Sequence, residues 1–140
     1  MQTALIIIGT IIAILVLLVY FGKRRLKNIP MVDDHKSIVT LTAANFQAKT
    51  KNKIVLIDFW AAWCAPCRMM SPILNSVAAD LKGNQQIGKV NIEQHQALAQ
   101  KYKVRSIPTM IILKNGVEVT RFSGVKSREF LLQQLAKVSY

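Results

Sequence analysis

Cysteine is scarce in this 140-residue chain, and so are histidine, proline and glycine: the counts are two, two, four and six. Two cysteines are too few for a disulfide-stapled mini-protein, and this little proline and glycine excludes collagen-like and low-complexity disordered chains. Acidic residues are also few, seven Asp and Glu against nineteen Lys and Arg, for a net charge of +12. The length allows one domain with its own core, and 51% of the residues are hydrophobic.

Charge is missing altogether from residues 1–22, MQTALIIIGTIIAILVLLVYFG. As a helix, residues 4–21 cover about 27 Å, close to the roughly 30 Å hydrocarbon core of a bilayer. The apolar run is too long and the start too uncharged for a cleaved signal peptide, and Tyr20-Phe21-Gly22-Lys23 is a poor cleavage site. A run apolar on every face suits lipid better than a small core. The sequence therefore predicts an uncleaved single-pass transmembrane signal-anchor over 1–22, with Tyr20 and Phe21 at an interface.

Lys23, Arg24, Arg25 and Lys27 follow the run at once and carry +4 of the charge. Basic residues flanking a single span stay on the cytoplasmic side, so the rest of the chain is expected to face the cytoplasm. The same cluster suits an anionic lipid surface. Residues 28–140 carry 15 basic and 7 acidic residues, a further +8. Their lysines are dispersed and not interleaved with stacking aromatics, which argues against nucleic acid and for a solvated basic surface.

Residues 23–36 are polar, include Pro30 and the pair Asp33-Asp34, and read as a basic flank and short tether. From 37 to 140 the elements alternate. A strand is expected at 38–40, a helix at 43–49 capped by Thr42, and a strand at 54–59 whose unbroken apolar run implies burial on both faces. A helix follows at 64–81, expected to kink at Pro72, then a strand at 87–91 and a helix at 96–102. A strand at 109–113, the turn pair Asn115-Gly116, a strand at 117–122 and a helix at 127–138 complete the chain. This order predicts an α/β three-layer sandwich with a mixed sheet.

The two cysteines stand in Trp60-Ala61-Ala62-Trp63-Cys64-Ala65-Pro66-Cys67, after a buried strand and at a helix start. Two residues between them, wound as a first turn, bring both sulfurs within reach of a disulfide, and Pro66 suits that turn because no N–H is needed there. Free amides and the helix dipole stabilise a thiolate at this end and lower the pKa of Cys64 below the free value of about 8.5. Cys64 is then the attacking nucleophile. Cys67, one turn further in, resolves the mixed disulfide by attacking the Cys64 sulfur.

Other uses of the pair fit less well. A tetrahedral zinc site needs four ligands, and beyond Cys64 and Cys67 only His35 and His95 remain, at no finger spacing. Covalent c-type haem needs His directly after the second cysteine, where Arg68 stands. A disulfide closing so short a loop restrains little chain entropy, so stability alone is a poor reason for it. No metal or dissociable cofactor is expected, only a reversible Cys64–Cys67 disulfide.

The run from Val55 through Pro72, with Asp58-Phe59-Trp60 and Trp63-Cys64-Ala65-Pro66-Cys67 inside it, closely resembles the thioredoxin family, as do Ile107-Pro108-Thr109 and Phe122-Ser123-Gly124. The resemblance covers about residues 37–138 and implies the thioredoxin fold and dithiol-disulfide exchange. It also implies that Asp58 is a buried carboxylate beneath the cysteines, accepting and returning the proton of Cys67. An Asp inside so apolar a strand is desolvated, which raises its proton affinity toward neutrality. Lys89 matches the family's lysine near that acid and could tune it by opposite charge.

The resemblance further implies a cis-proline at Pro108, with Ile107 offering backbone hydrogen bonds to a substrate strand. Trp63 would form exposed docking surface while Trp60 lies beneath the site, and Gly124 would border the groove, lacking a side chain because backbone approaches closely there. Ala65 and Pro66 complete the substrate-facing positions. Ala65 stands where the family usually has glycine, and the residues between the cysteines tune redox potential.

The expected function is a membrane-tethered thiol-disulfide oxidoreductase that reduces protein disulfides and is re-reduced by thioredoxin reductase or a membrane electron donor. Two alternatives share the sequence. In one, the domain faces outward, in cytochrome maturation or envelope disulfide quality control. In the other, a non-catalytic module uses the groove around Trp63 and Pro108 to bind partners.

Overall fold

The long uncharged start and the alternating remainder fall into different units of structure. The structure is a computed structural model that describes residues 2–27 and 30–139, without the side chains of 4, 5, 23 and 25–27. It forms two units, Met1–Pro30 and Met31–Tyr140.

The first unit is a single helix, α1, over Gln2–Lys27. It runs past Gly22, where the apolar run ends, and takes in the basic cluster. Its large apolar side chains from Ile6 to Phe21 are all more than half exposed. Among the described residues no helix is long and apolar enough to cross a membrane. The transmembrane helix that the sequence predicts is therefore not found among the described residues.

The second unit is ordered by its apolar strand. β2 (Ile54–Trp60) is buried along its length apart from Trp60. Beside it lie β3 (Gln85–Asn91) in parallel and β4 (Thr109–Lys114) in antiparallel pairing. The short β1 (Val39–Thr40) pairs parallel with β3, and β5 (Val117–Ser123) pairs antiparallel with β4, giving the order β1-β3-β2-β4-β5. This is the mixed sheet expected from the sequence.

Because successive strand side chains alternate between faces, β2 feeds two cores. Ile54 and Leu56 join Met70, Leu74 and Val77 of α3 (Ala65–Asp80) and Leu131 and Leu135 of α5 (Arg128–Ser139). Val55, Ile57 and Phe59 join Phe46 of α2 (Phe46–Thr50) and Leu98 of α4 (Gln96–Lys101). Helices cover both faces, so no position of β2 needs a polar residue for water. Each fully buried aliphatic chain contributes about 1.5–3 kcal/mol.

Local departures have local causes. The expected helix over 43–49 starts as a turn, in which the Thr42 N–H donates to Asn45 Oδ1 at 2.9 Å and the Asn45 N–H to Thr42 Oγ1 at 3.3 Å, and only then becomes α2. α3 continues through Pro72. Asn115 and Gly116 both take positive φ, 55° and 81°, which turns β4 into β5 as the Asn-Gly pair predicts. Residues 31–36, read as tether, lie with the second unit. The Asn75 side chain on α3 accepts from the His35 N–H and donates to the Asp33 carbonyl, both at 2.8 Å.

Candidate active site

Cys64 ends the turn after β2 in extended backbone, φ −80° and ψ 105°, and so becomes the N-cap of α3. Pro66 falls in the first turn, where the missing N–H costs nothing. That winding brings Cys64 and Cys67 into a disulfide with Cα atoms 5.3 Å apart. The Cys67 N–H donates to Cys64 Sγ at 3.2 Å, so an otherwise unpaired amide of the helix end points at the sulfur. Cys64 is 4% exposed and Cys67 2%. They cluster with Ala61, and Trp60, Ile92 and Ile107 lie against them.

Asp58 stands two residues before Trp60 on β2, on the face that meets α3. It is 1% exposed, and neither carboxylate oxygen has a hydrogen-bond partner among the described residues. Burial pushes its carboxyl from an ordinary 3.8 up to about 7, Lys89 pulling down and Asp34 pushing up to lesser degrees. Its register partners are Lys89 on β3 and Met110 on β4.

Lys89 is itself 3% exposed. Its ammonium goes to Asp34 Oδ1 at 2.6 Å, lies 4.6 Å from the centre of the Trp60 ring, and reaches Ser71 Oγ of α3 at 3.5 Å. Ser71 is four residues after Cys67, hence on the same side of α3. The sheet and helix thus place the acid, the lysine and the inner cysteine around one small interior region.

Around the rim, the Ile107–Pro108 peptide bond is cis. Trp63 is 63% exposed, with its ring N–H donating to Glu93 Oε1 at 3.1 Å. Trp63, Ile92 and Ile107 share a shallow groove of about 350 Å³ beside the cysteines.

Comparison with known proteins agrees. The Thioredoxin family profile matches residues 37–137. The thioredoxin of Staphylococcus aureus strain Mu50 is 41% identical over 101 residues, 72% of this chain and 97% of its own length. That of strain NCTC 8325 gives the same figures. The chain belongs to the thioredoxin family. Among solved structures, a mutant thioredoxin from Halobacterium salinarum NRC-1 superposes with a TM-score of 0.68 at 26% identity, covering 76% of this chain and 94% of that one.

This thioredoxin-family chain is a disulfide oxidoreductase, and Cys64 and Cys67 form a close disulfide pair in it. Gly124 borders the site, its N–H donating to the Pro108 carbonyl at 2.9 Å, and a Cβ there would meet nothing within 4 Å in the described chain. Its φ of 77° is by itself a reason for glycine at 124. Sequence reasoning missed Asp34, Ser71 and Asn75. Asp34 was visible only as half of an acidic pair in a polar stretch, with no periodicity to aim it inward.

Proposed function

We propose that this chain is a membrane-tethered reductase of protein disulfides. The observation that carries the chemistry is a cysteine pair at the head of α3 with a buried carboxyl, without a hydrogen-bond partner among the described residues, on the adjoining strand face. In the reduced state the Cys64 thiolate attacks one sulfur of a substrate disulfide, forming a mixed disulfide and releasing the other sulfur as a thiolate. Asp58 takes the Cys67 proton, and the Cys67 thiolate attacks Cys64 Sγ. The Cys64–Cys67 bond closes and the second substrate sulfur leaves. Two electrons pass from the dithiol to the substrate, whose thiolates gain protons from solvent.

A carboxyl near neutrality suits this exchange, since it can accept a proton and return it at working pH. Trp63 supplies apolar docking area, while Ile107, Pro108, Ala65, Pro66 and Gly124 frame the approach of an extended substrate strand. Thioredoxin reductase or a membrane electron donor restores the dithiol.

The tether rests on the uncharged residues 1–22, on the outward apolar side chains of α1, and on the basic cluster at 23–27. The cluster favours a cytoplasmic domain. Two measurements test the reading. The full chain with a dithiol donor should reduce insulin disulfides, and Cys64→Ser should not; equal rates remove the reductase. Carbonate washing should leave the chain in the membrane pellet, and its release would remove the tether. An impermeant maleimide labelling Cys64 in intact cells would reverse the orientation.

A further inference from the structure

Lys89 and Asp58 are register partners on adjacent parallel strands and project from the same face of the sheet. An ammonium so placed is the natural counter-charge for a buried carboxylate. Yet both Asp58 oxygens lack a hydrogen-bond partner among the described residues, and the Lys89 ammonium is held 2.6 Å from Asp34. Asp34 lies ahead of the family match, which begins at 37.

Its position is not incidental to a loose strand of chain. The Asn75 side chain accepts from the His35 N–H and donates to the Asp33 carbonyl, bonding the residues on either side of Asp34. Cys67, Ser71 and Asn75 recur every four residues on α3, so one side of that helix carries the inner cysteine, touches Lys89, and pins the segment bearing Asp34.

We propose that Asp34 is a positioning residue of the exchange centre: by taking the Lys89 ammonium it denies the buried Asp58 carboxyl its neighbouring cation. The idea rests on the exchange reading above and adds a regulator of its proton relay. The charged groups acting on Asp58 are Lys89 from β3 and Asp34 from the segment before β1. β4 sets the uncharged Met110 beside it, and α3 brings Cys67 into the adjoining cluster.

Without the Asp34 charge, two effects act in one direction. A nearby anion is lost, and the ammonium is free to turn to Asp58; each favours the carboxylate. A ¹³C carboxyl titration of Asp58 in the full-length chain reads this directly. Asp34→Asn should lower the Asp58 midpoint by about one pH unit, a tenfold loss of proton affinity, and shift the rising limb of the pH-rate profile for insulin reduction the same way. Asp34→Glu should keep the wild-type midpoint, and Asn75→Ala should lower it as Asp34→Asn does.

An unmoved midpoint in Asp34→Asn overturns the proposal, even where Cys64-dependent turnover is intact. So does a drop in Asp34→Glu as large as in Asp34→Asn. Absence of Cys64-dependent turnover in the wild type would instead overturn the exchange reading, while the titration still decides whether Asp34 sets the state of Asp58.

Discussion

The backbone N–H of Cys67 points at the sulfur of Cys64, 3.2 Å away. The same turn of helix that brings the sulfurs together also supplies the dipole that favours negative charge on the outer one. In the reduced chain, iodoacetamide at neutral pH should therefore alkylate Cys64 before Cys67, as read by mass spectrometry of the peptide spanning both. Cys67→Ser should trap a mixed disulfide with substrate on a non-reducing gel, whereas Cys64→Ser should trap none.

Asp58 couples activity to stability. Its folded carboxyl holds the proton up to about 7, against 3.8 ordinarily. Below about pH 4 both folded and unfolded forms are protonated and the residue costs nothing through titration. As pH rises from about 4 to about 7 the unfolded carboxyl ionises while the folded one keeps its proton, so stability falls by about 4 kcal/mol across that window and is level above it. Asp58→Asn should then raise the urea midpoint at about pH 8 and leave it near wild type at about pH 4. The same variant should slow insulin reduction at neutral pH on the order of 10–100-fold. An unchanged pH-rate profile would remove the relay.

Trp63 offers its ring to solvent, and its ring N–H donates to Glu93. Trp63→Ala should raise KM for protein substrates several-fold and change thermal stability by less than about 0.5 kcal/mol. A large loss of stability would show that the ring belongs to the core.

Gly124 sits at φ 77° with open space where a Cβ would be. Gly124→Ala should cost about 1–2 kcal/mol in urea denaturation through backbone conformation alone. Gly124→Asn should cost less, because asparagine tolerates the left-handed region better.

Much of the architecture was legible because it follows from period and punctuation. The unbroken apolar run of β2, the Asn115-Gly116 turn and the proline in the first turn of α3 each have a local reason that survives folding. The ends of elements were less legible. Cys64 was placed inside a helix that it instead caps, because capping depends on its extended backbone. The turn before α2 follows from the reciprocal Thr42–Asn45 bonds, which no hydrophobic pattern reports.

The cysteine spacing, the acid in an apolar strand and the uncharged start of the chain were properties of the sequence, and with them the reaction class. Which groups surround the acid was decided only in three dimensions. Asp34 and Lys89 stand 55 positions apart along the chain, and Asn75 lies between them in sequence. Only the parallel register of β2 with β3, and the seating of α3 across that face, bring these charges together, since an ion pair acts over ångströms of space whatever its distance along the chain.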